Sequence, residues 1–188
     1  MAARVPRAGV PEVNEEPLFP HRKNRCFESA DGKYRWFLQR HWSPGKRWIA
    51  WVGLNPSTGN ATQDDPTLRR MIRFSFDNFD GMFVVNLFAM RSKDPDLLSK
   101  EPRRVGTGND RMIIAAARTA QATVLAWGAH KLAGERSAFV LALLRAHDIK
   151  LLTLGRTTNG QPRHPLFVRA SQPLIPFYDA PPMGAAEA

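Results

Sequence analysis

Residues 47–65 read RWIAWVGLNPSTGNATQDD, an apolar run that stops at Gly53-Leu54-Asn55-Pro56 and gives way to a polar loop. Ile49, Ala50, Trp51 and Val52 are apolar without alternation, which suits a strand buried on both faces, although a short buried helix shares that pattern. Gly53 and Pro56 decide for the strand. Glycine admits a positive φ or a close approach, and proline stops a helix and biases Asn55 towards an extended backbone. The Asn55 side chain is therefore expected at the C-terminal edge of the strand, where open α/β sheets bind ligands.

Other segments extend the same pattern. Tyr34–Trp42 is aromatic-rich and lies between Asp31-Gly32 and Pro44-Gly45, as expected of a strand at a sheet edge. In such a strand Tyr34, Trp36 and Trp42 are either core cover or base-stacking surfaces. Asp65-Pro66-Thr67 opens a helix, followed by Leu68, Met71, Ile72, Phe76 and Phe79 at helical spacing. Gly81–Phe88, Ala122–Trp127 and Ile149–Leu154 read as further strands. Helices are expected from Gly106 to Ala120, with Asn109 as cap, and from Ala129 to His147, with Leu132, Phe139, Val140, Leu143 and Leu144 inward. Strands alternating with helices predict a three-layer α/β/α sandwich on a mostly parallel sheet of about four strands plus the aromatic edge strand.

The turn G-L-N-P after a hydrophobic strand resembles the first motif of the uracil-DNA glycosylase-like superfamily. The resemblance continues in Phe83-Val84-Val85-Asn86-Leu87-Phe88, in Val124-Leu125-Ala126-Trp127-Gly128 and in His164-Pro165-Leu166, so it runs from about Ile49 to Phe167. The chain also resembles a bacterial and phage family whose members share an aromatic first strand, GLNPST, DPT, VNLFA, AWG and G-x-P-x-HP, and whose shared region is a domain of unknown function. The superfamily resemblance implies that Asn55 positions a water, that Asn86 reads a base edge, and that DNA is the substrate. One departure stands out: Ser57-Thr58 follow the motif's proline where superfamily members usually carry Tyr or Gly.

Composition limits the alternatives. The chain has 188 residues, 27 Lys plus Arg against 17 acids, and a net charge of +10. That length suits one domain, expected over 26–178, between a proline-rich basic leader (1–25) expected to be disordered and a loose tail (179–188). Cys26, at the junction of that leader and the domain, is the single cysteine, which excludes a disulfide framework or a thiolate-ligated cluster within one chain. No cofactor or metal is expected. With no signal-type segment and no membrane-length apolar stretch, a cytoplasmic monomer without membrane contact is expected. The excess positive charge invites a polyanion, DNA first, with a small nucleotide as the other candidate.

The expected site gathers these motifs. Asn55 and His164 are the candidate catalytic residues, with His164 either capping a loop or donating to the departing base. Asn86, Gly53, Pro56 and Ser57 are expected around the base, although Asn86 also suits a tie to the following loop. Asp64 and Asp65 are possible additional polar groups, Asp65 equally explained as a helix cap. Arg69, Arg73, Arg91, Arg156 and Arg163 form the expected DNA-binding rim, and Leu166 or Phe167 the wedge that props open a base stack. The expected activity is hydrolysis of the N-glycosidic bond of an unusual or modified base in DNA. The alternatives are a non-catalytic reader of such a base and a hydrolase or transferase acting on a small nucleotide.

Overall fold

The computed structural model describes residues 24–178, and the expected leader and tail lie almost wholly outside them. Seven strands form one mixed sheet: β1 (Arg25–Glu28), β2 (Arg35–His41), β3 (Trp48–Gly53), β4 (Gly81–Asn86), β5 (Ala122–Leu125), β6 (Leu151–Thr153) and β7 (Ile175–Pro176). Their order across the sheet is β1-β2-β4-β3-β5-β6-β7. Four helices accompany them: α1 (Pro66–Ser75), α2 (Pro95–Leu98), α3 (Asn109–Thr119) and α4 (Gly134–Arg145), with a 3₁₀ turn at Pro165–Phe167.

β3 lies inside the sheet, paired in parallel with β4 on one side and β5 on the other. Its side chains alternate between two cores. Trp48, Ala50 and Val52 join Met112, Ile113 and Ala116 of α3 and Val140 and Leu144 of α4. Ile49 and Trp51 join Leu68 and Met71 of α1 on the other face. Every residue of β3 is buried, so the run shows no polar alternation because neither face meets water.

The sheet differs from the expected one in its outer parts. β4, β3, β5 and β6 are parallel, whereas β1–β2, β2–β4 and β6–β7 are antiparallel. The aromatic strand is not the edge: β1 covers it, pairing Cys26 with Leu38 and Phe27 with Phe37. Cys26 thus belongs to the sheet rather than a leader, and its thiol is pushed up to about 11, first by burial and then by Glu28. Four residues with a mixed pattern carry too little periodicity to announce a strand, and β7 is shorter still.

Local chemistry explains the helix starts. At α1 the Leu68 N–H donates to the Asp65 carboxylate at 2.8 Å, and Pro66 occupies the first turn, a cap of about 1 kcal/mol. α3 starts differently. Gly108, at φ +78°, precedes it without a side-chain cap, and Asn109 is buried inside the first turn instead of capping it. Two expected core aromatics face out, because each can cover a neighbour at the surface. Phe139 lies under the Arg136 guanidinium (5.4 Å), and Phe76 stacks on Trp42 (5.9 Å).

Among the described residues no helix is long and apolar enough to cross a membrane.

Candidate functional site

The parallel register sets the site. Gly53 and Asn86 are the last matched pair of β3 and β4, and β5 ends one register step earlier, with the Ala126 N–H donating to Val52 O at 2.9 Å. The three chains diverge there and open a cavity of about 470 Å³, within the range typical of small-ligand sites. Asn55, Asn86 and His164 all line it, together with Gly53, Ser57, Asp65, Leu166 and Phe167. Residues more than a hundred positions apart thus meet at the edge where parallel strands end.

Asn55 is fixed by its amide nitrogen, which donates to Ser92 O (2.8 Å) and Pro56 O (3.0 Å). Two carbonyl acceptors assign that atom as nitrogen, so Oδ1, which accepts from none of the described residues, is left for a water or ligand. A carboxylate at this position would face two carbonyl oxygens, which explains why asparagine stands here rather than aspartate.

Asn86 is 4 % exposed, and its Nδ2 has no partner among the described residues. A buried donor left unpaired costs about 1–3 kcal/mol, so this amide is held for something other than stability. Gly53 makes room for it. A Cβ at Gly53 would lie 2.6 Å from Asn86 Oδ1, so the glycine serves a close approach and not a positive φ. Asn109 steadies the strand end by donating to Asn86 O (3.0 Å) and Leu87 O (3.1 Å).

His164 unites its two expected readings. Its Nδ1 accepts the Leu166 N–H at 3.3 Å, which caps the 3₁₀ turn. In the neutral ring this places the proton on Nε2, a donor not used by the described residues. Burial lowers the His164 pKa below its ordinary value, and the weaker field of Asp65 opposes the shift. Gly128, at φ +77°, backs the histidine: a Cβ there would lie 3.2 Å from His164 Cβ. Arg70 holds the same turn from α1, donating to Pro165 O (3.3 Å) and Val168 O (2.6 Å).

Other expected site residues divide. Pro56 is buried and does not line the cavity; its carbonyl accepts Ser92 N–H and the Asn55 amide. Asp65 lines the cavity, but both carboxylate oxygens accept backbone N–H groups, from Leu68 and Gly59 (3.2 Å). Asp64 pairs with Arg40 at 2.8 Å outside the lining. Leu166 and the 80 % exposed Phe167 stand at the cavity's open side.

None of the five rim arginines lines the cavity. Arg91 donates to Ser57 O and Gly59 O (both 2.9 Å) and pairs with Glu28. Arg156 donates to Gly160 O and Tyr178 O and lies 3.9 Å over Phe177. Arg163 donates to Arg156 O (2.9 Å) and Arg69 to Asp64 O (2.5 Å), while Arg73 ends α1 in solvent. Arg91 and Arg156 are half-buried and internally engaged because loop carbonyls need donors; the other three are exposed.

The structure adds Arg35, Lys93, Trp127 and His130 to the cavity lining, of which Trp127 lies in one of the motifs quoted above. Arg35 carried a signal, a charge between two aromatic residues of the strand expected at the sheet edge. Lys93 and His130 sit in loops, and loop packing brings them to the cavity. Among the described residues no group of three or more His, Cys, Asp or Glu side chains is arranged to hold a metal ion.

Fold and site define a mixed α/β protein with a ligand-sized cavity at the carboxyl ends of its parallel strands. Residues 35–166 match the family described as "Protein of unknown function (DUF1643)", and the chain belongs to that family. No curated protein and no solved structure matches it.

Proposed function

We propose that the cavity receives a nucleobase and that the protein hydrolyses its N-glycosidic bond, in the manner of a glycosylase acting on an unusual or modified base in DNA or in a free nucleotide. The observation that carries this reading is the convergence of Asn55, Asn86 and His164 on one cavity. Each brings the chemistry the reaction needs. The free Asn55 Oδ1 accepts a hydrogen bond from the attacking water and orients it. The unpaired Asn86 amide meets the donor–acceptor edge of a base. His164 Nε2–H donates to the base as it leaves with the bonding electron pair. Water then adds to the sugar carbon, and its proton ends on the departing base.

The three-layer, uracil-DNA glycosylase-like arrangement belongs to the same proposal. It is supported by α1 on one sheet face and α3 with α4 on the other. The exposed Leu166 and Phe167 supply the proposed wedge, and we propose a cytoplasmic monomer.

A second reading has its own observation. An asparagine is no general base, so Asn55 fits recognition without cleavage equally well, and the cavity would then be a reader of a modified base. Freed base quantified by mass spectrometry separates the two. The panel is duplex DNA, single-stranded DNA and free nucleotides carrying uracil, hypoxanthine or bulky thymine derivatives. The enzyme reading expects release by wild type, loss of most of it in Asn55→Ala and His164→Ala, and blurred base choice in Asn86→Ala. Binding without release by wild type on every substrate would leave the reader.

A further inference from the structure

Among the described residues Arg35 is a buried charge that the fold does not explain. It is 2 % exposed, lines the cavity, and has no ion pair among the described residues. Nη1 donates to Gly59 O at 2.6 Å, and Nε has no partner among the described residues. Buried arginines are ordinarily paired, since an uncompensated buried charge is costly. Asp65, the carboxylate whose field acts on Arg35, spends both oxygens on backbone N–H groups. Burial first, and then the positive fields of Arg91 and Arg40, lower the Arg35 pKa to about 10, which leaves it charged at neutral pH. Of the other cavity-lining groups, Lys93 adds a positive charge from an exposed position and Asp65 the one carboxylate.

We propose that Arg35 recognises an anionic group on the cavity's ligand, and that this ligand is a free nucleoside monophosphate. The nucleoside part rests on base recognition by Asn86; the anion part stands on Arg35 alone. Depth selects the carrier. At 2 % exposure Arg35 is more easily met by a phosphate that ends a small molecule than by one flanked on both sides by polymer. Phosphate oxygens would give the guanidinium the acceptors that the described residues do not supply.

Titration calorimetry on the full chain tests this with purine and pyrimidine nucleoside 5′-monophosphates, the matching nucleosides, ribose 5-phosphate and a single-stranded DNA oligomer. At least one monophosphate should bind tenfold or more tightly than its nucleoside. Arg35→Met should abolish that preference, and Arg35→Lys should keep part of it. Because Arg35 also holds the Gly59 loop, Lys93→Met serves as a variant at an exposed position and should weaken monophosphate binding several-fold. Equal binding of monophosphate and nucleoside, tighter binding of the DNA oligomer, an undiminished preference in Arg35→Met, or no binding by any probe would overturn the proposal. Ribose 5-phosphate binding as tightly as the monophosphates, and losing that binding in Arg35→Met, would uphold the anion site and overturn base recognition.

Discussion

Replacing Gly53 by alanine tests the contact around which the cavity is built. The new Cβ would lie 2.6 Å from Asn86 Oδ1 and 4.0 Å from Met71 Cε, so the carboxamide must turn away inside a buried site. Overpacking of this kind costs about 1–3 kcal/mol. Gly53 lacks a positive φ, so alanine also gains about 0.4–1 kcal/mol by restricting the unfolded chain. The net expectation is a loss of about 1 kcal/mol, or a melting temperature lower by about 2–4 °C for a chain of this size. In an Asn86→Ala background the clash is gone and only the gain remains, so Gly53→Ala should then stabilise. Urea unfolding of the four proteins in a double-mutant cycle measures the coupling, expected at about 1.5–2 kcal/mol. Equal destabilisation of both backgrounds by Gly53→Ala would refute the reasoning.

Three further outcomes follow from the same geometry. Asn55→Asp should destabilise by about 1–3 kcal/mol at neutral pH, because a carboxylate replaces a donor opposite Ser92 O and Pro56 O; urea midpoints check it, and a neutral effect would contradict the assigned amide orientation. Arg70→Met should free the His164–Val168 turn, so Leu166 and Phe167 amides should exchange hydrogen faster while the core stays protected; unchanged exchange would show that α1 does not hold the turn. His164 has a folded pKa below its ordinary 6.5, so the unfolded chain binds more protons in the interval between the two values. Its stabilising contribution is complete above about pH 6.5 and is lost as pH falls through the folded pKa. Chemical denaturation from pH 7.5 to 5 should show a slope that His164→Asn reduces, and identical slopes would count against a buried neutral ring.

Much of this protein is local chemistry and could be read directly. β3 is recognisable because a strand covered on both faces must be apolar throughout, and α1 because Asp65-Pro66 supplies a cap and a first-turn proline. Asn55 and His164 were legible as candidates because glycine or proline beside them marks an irregular loop, and Asn86 because it ends an apolar strand. β1 and β7 were not, since four residues and two residues carry too little periodicity and owe their extended form to the strands they pair with. Asn109 looked like a cap by its neighbours, yet only the packing of α3 against β4 turned its amide towards Asn86 O.

The arginines mark the division most clearly. Sequence alone determined that this chain carries ten more positive than negative charges. Only the tertiary structure decided where those charges act: Arg91 and Arg156 bind loop carbonyls, Arg70 holds the histidine turn, and Arg35 lines the cavity without an ion pair among the described residues. The physical reason is that a strand's sequence sets which side chains are apolar, a local property, whereas the partner of a long charged side chain is set by backbone carbonyls that folding brings from tens of residues away.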